Sequence, residues 1–280
     1  MTVKVVTDST ADIPPQAGSK LGIGVVPLYV HFGDEVFRDG VDLSSAEFYR
    51  RLAANKTLPT TSTVSPGDFG QLYDDLARET DEVLVITLSS ELSATYEAAV
   101  QGRELRQAKD CRIEIIDSRF VTMALGLMAV AAAKEALKGS NLDVVTAAAK
   151  ESASRIHIRM AFDTLEYLRR GGRIGAAQAL VGTLLNFKPI LTLKDGMAKP
   201  VGRERTRAKA VDHLRQFAAG FDHIEEMAVE YSTTPEEAVA LAESLDPVFP
   251  KDRTYISAIG SVMGTHLGPG ALGVALLTGE

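Results

Sequence analysis

Small hydroxyl side chains gather in two short stretches of this 280-residue chain. In LSSELSATY, residues 88–96, Ser89, Ser90, Ser93 and Thr95 follow directly on the apolar run Val83 to Ile86. In TTSTVSPGDF, residues 60–69, Thr60, Thr61, Ser62, Thr63 and Ser65 stand close together. A hydroxyl donates one hydrogen bond and accepts two, so such clusters can orient a carboxylate or a phosphate without an ion pair. The β-branched run before LSSELSATY predicts a buried strand. Leu92, Tyr96, Ala99 and Val100 then recur at helical spacing, with Ser93 on the shoulder of that face. The hydroxyls thus crowd a strand-to-helix junction, where open α/β sheets bind ligands. Free N–H groups and the helix dipole favour an anion there. Ser is also a preferred N-cap, but a cap uses one hydroxyl and this junction has four. Ser65, before Pro66 and Asp68, reads as a helix N-terminus.

His266 directly precedes a second feature, Gly268-Pro269-Gly270-Ala271-Leu272-Gly273, which matches G-x-G-x-x-G. That loop lies near the end of the sequence, contains a Pro, and leaves no room for the acidic residue about 20 positions on that a dinucleotide site requires. The dinucleotide reading fails, and a histidine beside a Gly-Pro-Gly turn is left as a candidate ligand contact. The P-loop, H-E-x-x-H and G-x-S-x-G signatures are absent. His31, His157, His213 and His223 lack metal-ligand spacing. An enzyme reading survives only as Ser93 acting as nucleophile with His266 as its base, an esterase or acyltransferase without an identifiable third member. Arg170 and Arg173 in LRRGGRIG, with Arg203 from a later segment, form a candidate basic surface for a phosphate or a protein partner. The glycines between them allow a sharp turn.

These side chains need a scaffold. Strand-like runs at 3–7, 25–30, 83–87 and 112–116 alternate with helical patterns at 46–54, 68–78, 92–106 and 120–137, and a helix at 142–154 follows. That rhythm predicts a mainly parallel sheet with helices on both faces. From Ile156 the style changes. Residues 190–194 and 197–201 read as a hairpin around Asp195-Gly196, and a helix at 206–219, a strand at 227–231 and a helix at 235–245 come next. Runs at 253–259 and 271–278 read as the last strands. The expectation is an α/β chain of two closely packed domains, residues 1–155 mainly parallel αβα and residues 156–280 a smaller α+β unit. A ligand would be buried between strand ends and core.

Composition narrows the function classes. A net charge of −7 argues against a general nucleic-acid binder. The nearly apolar run Phe120 to Ala133 is too short to span a bilayer and reads as a buried helix. A strand begins almost at the N-terminus, which leaves no room for a signal peptide, and one cysteine, Cys111, excludes an intramolecular disulfide and a Cys-based zinc site. The expectation is a cytoplasmic protein with no stable membrane insertion and no metal.

The ordered set VVTDSTADIP (5–14), TTSTVSPGDF (60–69), LSSELSATY (88–96), DTLEYLRRGGRIG (163–175), FKPIL (187–191) and THLGPGALG (265–273) resembles the DegV family of bacterial fatty-acid-binding proteins. The likeness runs from the first strand to the last. Thr63 stands where that family often has Gln, and Ala94 where it often has Gly. The resemblance implies a lipid-binding carrier rather than an enzyme, with a long-chain fatty acid such as palmitate buried inside and no cofactor. Its carboxylate would meet Thr61, Ser62, Ser93 and Thr95, with His266 close by. A separate ATP-dependent fatty acid kinase would convert the presented carboxylate to an acyl phosphate for phospholipid synthesis, with Arg170, Arg173 and Arg203 as its contact. A tail tunnel would pass near Leu28, Phe162 and Leu165.

Overall fold

The computed structural model describes residues 3–55, 57–180 and 187–279. The first half of the chain runs β1 (Lys4–Asp8), α1 (Pro15–Leu21), β2 (Gly24–Val26), β3 (Tyr29–Phe32), β4 (Glu35–Arg38), α2 (Ser45–Ala54), β5 (Thr60–Ser62), α3 (Pro66–Leu76), β6 (Glu82–Thr87), α4 (Thr95–Leu105), β7 (Arg112–Asp117), α5 (Thr122–Leu137) and α6 (Leu142–Arg155). The second half runs β8 (Ile156–Ala161), α7 (Glu166–Arg170), β9 (Lys188–Lys194), β10 (Met197–Glu204), α8 (Arg207–Ala218), β11 (Ile224–Tyr231), α9 (Pro235–Ser244), β12 (Tyr255–Ala258), α10 (Ser261–Leu267) and β13 (Leu272–Thr278). The chain is an α/β protein.

Among the described residues the strands form three sheets. Strands β2-β1-β6-β7 are all parallel, and Val83 to Ile86 are fully buried, as a strand covered on both faces requires. Strands β10-β9-β8-β13-β11-β12 form a mixed sheet in which only β11 and β12 run parallel. The alternation along β13 serves two cores, Ala275 and Leu277 on one face and Leu272, Val274 and Leu276 on the other. A small antiparallel sheet, β4-β3-β5, completes the set.

Helix α5 joins the two large sheets. It packs on β1 and β6 of the parallel sheet and on β8, β11 and β13 of the mixed one. Its residues from Thr122 through Val130 are all buried, the signature of a helix apolar all round rather than on one face. Helices α8 and α9 cover the opposite face of the mixed sheet, and α10 packs against α2, α7, β3 and β5.

The structure departs from the sequence expectation at three places near the site. The run 25–30 is two strands, because Pro27 offers no N–H to a ladder and the Leu28 N–H donates to Ser9 Oγ instead. Thr60–Ser62, which reads as a hydroxyl-rich loop, pairs with β3 as an edge strand; three residues with two exposed carry no alternation to read. Helix α4 starts at Thr95 rather than Leu92, since the Leu92 and Ser93 N–H groups both turn back to Ser89 O. The Asp195-Gly196 hairpin forms as read, with φ of 55° and 81°, the left-handed pair that a type I′ turn needs.

Candidate functional site

Where the end of β6 meets the start of α4, the four hydroxyls of LSSELSATY divide into two pairs with different duties. Ser89 is buried and donates to Gly196 O at 2.8 Å, so it anchors the β9–β10 hairpin. Ser90 donates to Asp117 Oδ2 at 2.6 Å and ties β6 to β7. Ser93 and Thr95 face each other at 2.8 Å, and Thr95 donates onward to Thr63 Oγ1 at 2.8 Å. Each hydroxyl has one proton, so the chain runs Ser93 to Thr95 to Thr63 and leaves the Thr63 O–H free to donate. Ser93 and Thr63 line a cavity of about 250 Å3; Thr95, fully buried, supports them from behind. Ala94, at the start of α4, also lines the cavity and makes no side-chain cap, so that helix turn is open to an anion.

His266 reaches the same cavity from α10, and Thr61 from β5. Thr61 Oγ1 lies 2.9 Å from His266 Nε2, while Nδ1 is buried without a partner. Burial, with Arg173 adding repulsion, pushes the His266 pKa down to about 4, so the ring is neutral at pH 7. An orphaned buried N–H is rarer than an orphaned acceptor, which puts the single proton on Nε2. That proton goes to Thr61, and the Thr61 O–H is then free for a ligand. Ser62 is exposed and lines the cavity with its Oγ 2.8 Å from His31 Nε2.

The arginines separate. Arg173 lines the cavity, its guanidinium held by Leu92 O at 3.1 Å and Gly171 O at 2.7 Å. It is the one basic side chain other than His266 among the described lining residues. Arg170 is bound to Glu166, and Arg203 stacks 4.7 Å over the Phe187 ring; neither lines the cavity. Apart from Thr122 and Thr192 the rest of the lining is apolar, with Leu28, Phe162, Met160, Leu191 and Met263 among it. Leu165 is buried but lies outside the lining.

Thr122 and Thr192 line the cavity without having stood out in the sequence as site residues, and Thr63, noted there only as one of the hydroxyl cluster, lines it too. Thr122 holds φ of 54° at the start of α5, an unusual conformation for a β-branched side chain that no sequence pattern announces. Thr192 sits mid-strand in β9.

This arrangement suits a long apolar ligand with one anionic end. It does not suit nucleophilic catalysis, because Ser93 bonds Thr95 and the Nε2 of His266 is taken by Thr61. Nor does any described carboxylate orient Nδ1. The glycine loop after His266 is the turn between α10 and β13. Among the described residues, no helix is long and apolar enough to cross a membrane. No described group of three or more His, Cys, Asp or Glu side chains could hold a metal ion.

Comparison with known proteins agrees with this architecture. The family model described as "Uncharacterised protein, DegV family" matches residues 2–279. A DegV domain-containing protein of Streptomyces coelicolor is 39% identical over 278 residues, covering 98% of each chain. A DegV family protein from Thermus thermophilus, described as fatty acid binding, has a TM-score of 0.89 at 33% identity over 99% of this chain and 100% of its own. DegV from Bacillus subtilis, described as a fatty acid binding protein, has a TM-score of 0.88 at 33% identity over the whole of both chains.

Proposed function

The chain belongs to the DegV family, and on that premise we propose that its cavity holds one long-chain fatty acid and presents the carboxylate to a separate fatty acid kinase. The observation that carries this reading is the polarity of the cavity: hydroxyls from β5, Thr63 and the β6–α4 junction beside a neutral His266, in a lining that is apolar apart from these, Arg173, Thr122 and Thr192. Thr61 and Thr63 would donate to the carboxylate, with Ser93 beside them fixing the direction of the Thr95–Thr63 bond and Ser62 at the exposed side. Thr95 and His266 act through Thr63 and Thr61. Residues 1–155 would supply the hydroxyls and residues 156–280 would supply His266 and Arg173, so the ligand would bridge the two domains we infer.

Energetics favour hydroxyls in this role. Burying a sixteen-carbon tail gains about 11 kcal/mol gross at ~0.8 kcal/mol per methylene. The tail therefore supplies the affinity, and the head group needs only orientation. A bidentate arginine would occupy both carboxylate oxygens, whereas hydroxyl donors leave an oxygen able to attack the γ-phosphate of ATP on the kinase. The chain itself would be a carrier, without catalysis of its own.

Arg173 is exposed at the cavity and suits contact with the kinase or with the phosphate of the acyl phosphate. Arg173→Glu is expected to leave fatty acid content near that of the parent and to slow kinase-dependent ATP consumption sharply, both measured on one protein batch. Arg170→Glu and Arg203→Glu, away from the cavity, are expected to do less. Equal loss of binding and turnover in Arg173→Glu would reassign this residue to the pocket, and unchanged turnover would remove it from the contact.

A further inference from the structure

One wall of the cavity is laid by β8 and the residue that follows it. Ile158, Met160 and Phe162 all line the cavity, and the two-residue alternation of a strand sets them in a row on one face. The outer two are stiff, since Ile158 is β-branched and Phe162 carries a ring. Met160 between them is unbranched, and its thioether arm has three rotatable bonds.

A neighbouring strand decides where that arm lies. Gly273 of β13 is the partner of Met160 across the ladder. A Cβ on Gly273 would stand 2.9 Å from Met160 Cε and 3.4 Å from its Cγ. The arm therefore rests over the glycine, in the space that a side chain of β13 would otherwise fill. Glycine weakens a strand interior and often marks a close approach. Gly273 lies mid-strand and its φ is outside the left-handed region, so neither a turn nor the backbone calls for glycine here. What it supplies is room for Met160. With the arm withdrawn, the wall gives at one point between two stiff side chains. Relief at such a point admits a bend in an acyl chain rather than added length.

We propose that Met160, withdrawn onto Gly273, is a specificity-determining side chain of this cavity and gives it room for a long-chain fatty acid with a cis bend as well as for a straight one. The inference rests on the fatty-acid reading and adds to it the class of chain. Three acids of eighteen carbons test it: stearate, which is straight; elaidate, whose trans double bond leaves it nearly straight; and oleate, whose cis double bond bends it. Displacement of a fluorescent fatty acid from the delipidated full chain reads each Kd. The parent is expected to bind all three, with oleate within about 10-fold of stearate. In Gly273→Ala, Met160 Cε must move by roughly 1 Å to regain an ordinary contact, and the flexible arm gives way toward the cavity. The Kd for oleate should then rise by about 4-fold or more relative to stearate, the worth of one methylene of apolar burial, and elaidate should stay with stearate. The new Cβ also meets Arg159 O at 3.3 Å, but that contact is the same for every ligand. Gly273→Ala/Met160→Ala has no arm to displace and should return the oleate-to-stearate ratio to that of the parent. Met160→Leu conserves volume but holds its branch close to β8 instead of over Gly273. It should also disfavour oleate relative to stearate, so the test survives if Gly273→Ala does not fold. Equal loss of all three acids in Gly273→Ala, elaidate falling with oleate, a ratio that the double variant fails to restore, or an unchanged ratio in Met160→Leu would each overturn the proposal. So would a parent that takes up stearate and not oleate. A parent that takes up none of the three overturns the fatty-acid reading itself, and this proposal with it.

Discussion

Gly171 offers a way to move His266 without touching any polar group. Its backbone is ordinary right-handed helical, with φ of −72° and ψ of −9°, so alanine costs nothing there in conformation. Through the unfolded state alanine would even stabilise by about 0.4–1 kcal/mol. The Cβ, however, would fall inside contact distance of His266 Nδ1, 3.2 Å from its Cε1 and 3.1 Å from Tyr167 O. The buried ring must retreat by roughly 1 Å to restore an ordinary contact of about 3.5–4 Å. Its Nε2 bond to Thr61, now 2.9 Å, would then be stretched or misdirected. Loss of that bond is worth about 0.5–1.5 kcal/mol, and overpacking adds about 1–3 kcal/mol. Gly171→Ala should therefore lower stability by about 0.5–4 kcal/mol and raise the Kd for fatty acid by about 2- to 12-fold. Melting by circular dichroism and displacement of a fluorescent fatty acid read the two effects. In Gly171→Ala/His266→Ala the clash is gone, so the double mutant should show favourable coupling of more than about 1 kcal/mol. A Gly171→Ala protein as stable as the parent, with zero coupling to His266, would refute this account of the pocket wall.

Further outcomes follow from the hydroxyl chain and the buried acids. Ser93→Ala should weaken fatty acid retention only partly, by about 0.5–1.5 kcal/mol, and Thr61→Ala/Ser93→Ala by more, in the same displacement assay. Thr95→Val, nearly isosteric and out of the lining, should cost binding as well as stability, because Ser93 and Thr63 lose their shared partner; stability loss alone would remove Thr95 from the site's support. Burial raises Glu230 from its ordinary 4.5 to about 7, so the folded chain keeps a proton that the unfolded chain releases. The stability this contributes is full below about pH 4.5 and lost by pH 7, a swing of about 3 kcal/mol. His266, lowered from 6.5 to about 4, opposes it, its contribution being full above pH 6.5 and lost as pH falls toward 4. Glu230→Gln should accordingly gain most over the parent at pH 8 and little at pH 5 in urea unfolding; an equal difference at both pH values would contradict the burial argument.

The parallel sheet was legible because its strands are short apolar runs followed by amphipathic or fully apolar helices, and the hairpin because Asp195-Gly196 meets a backbone demand that few residue pairs satisfy. The small sheet was not, since β4 and β5 are short, polar and partly exposed, and their pairing depends on β3 alone. At the site, the sequence pointed to the right segments but could not divide their labour. Ser89 and Ser93 look alike in LSSELSATY, yet one holds a hairpin and the other lines a cavity, a distinction set by Gly196 from over 100 residues away. Thr61 and His266, 205 residues apart, share a hydrogen bond that no local pattern encodes. Arg170, Arg173 and Arg203 read as one patch, but Glu166 and Phe187 engage two of them and only Arg173 faces the cavity.

Under the proposed function, the cavity between the hydroxyls, His266 and the apolar lining carries a fatty acid. Denaturing the purified chain, extracting it with organic solvent and weighing the extract by mass spectrometry tests this directly. The expected result is free long-chain fatty acid near one equivalent per chain, reduced in Thr61→Ala/Ser93→Ala prepared in parallel. An extract free of fatty acid, from protein that also fails to take up added palmitate, would contradict it.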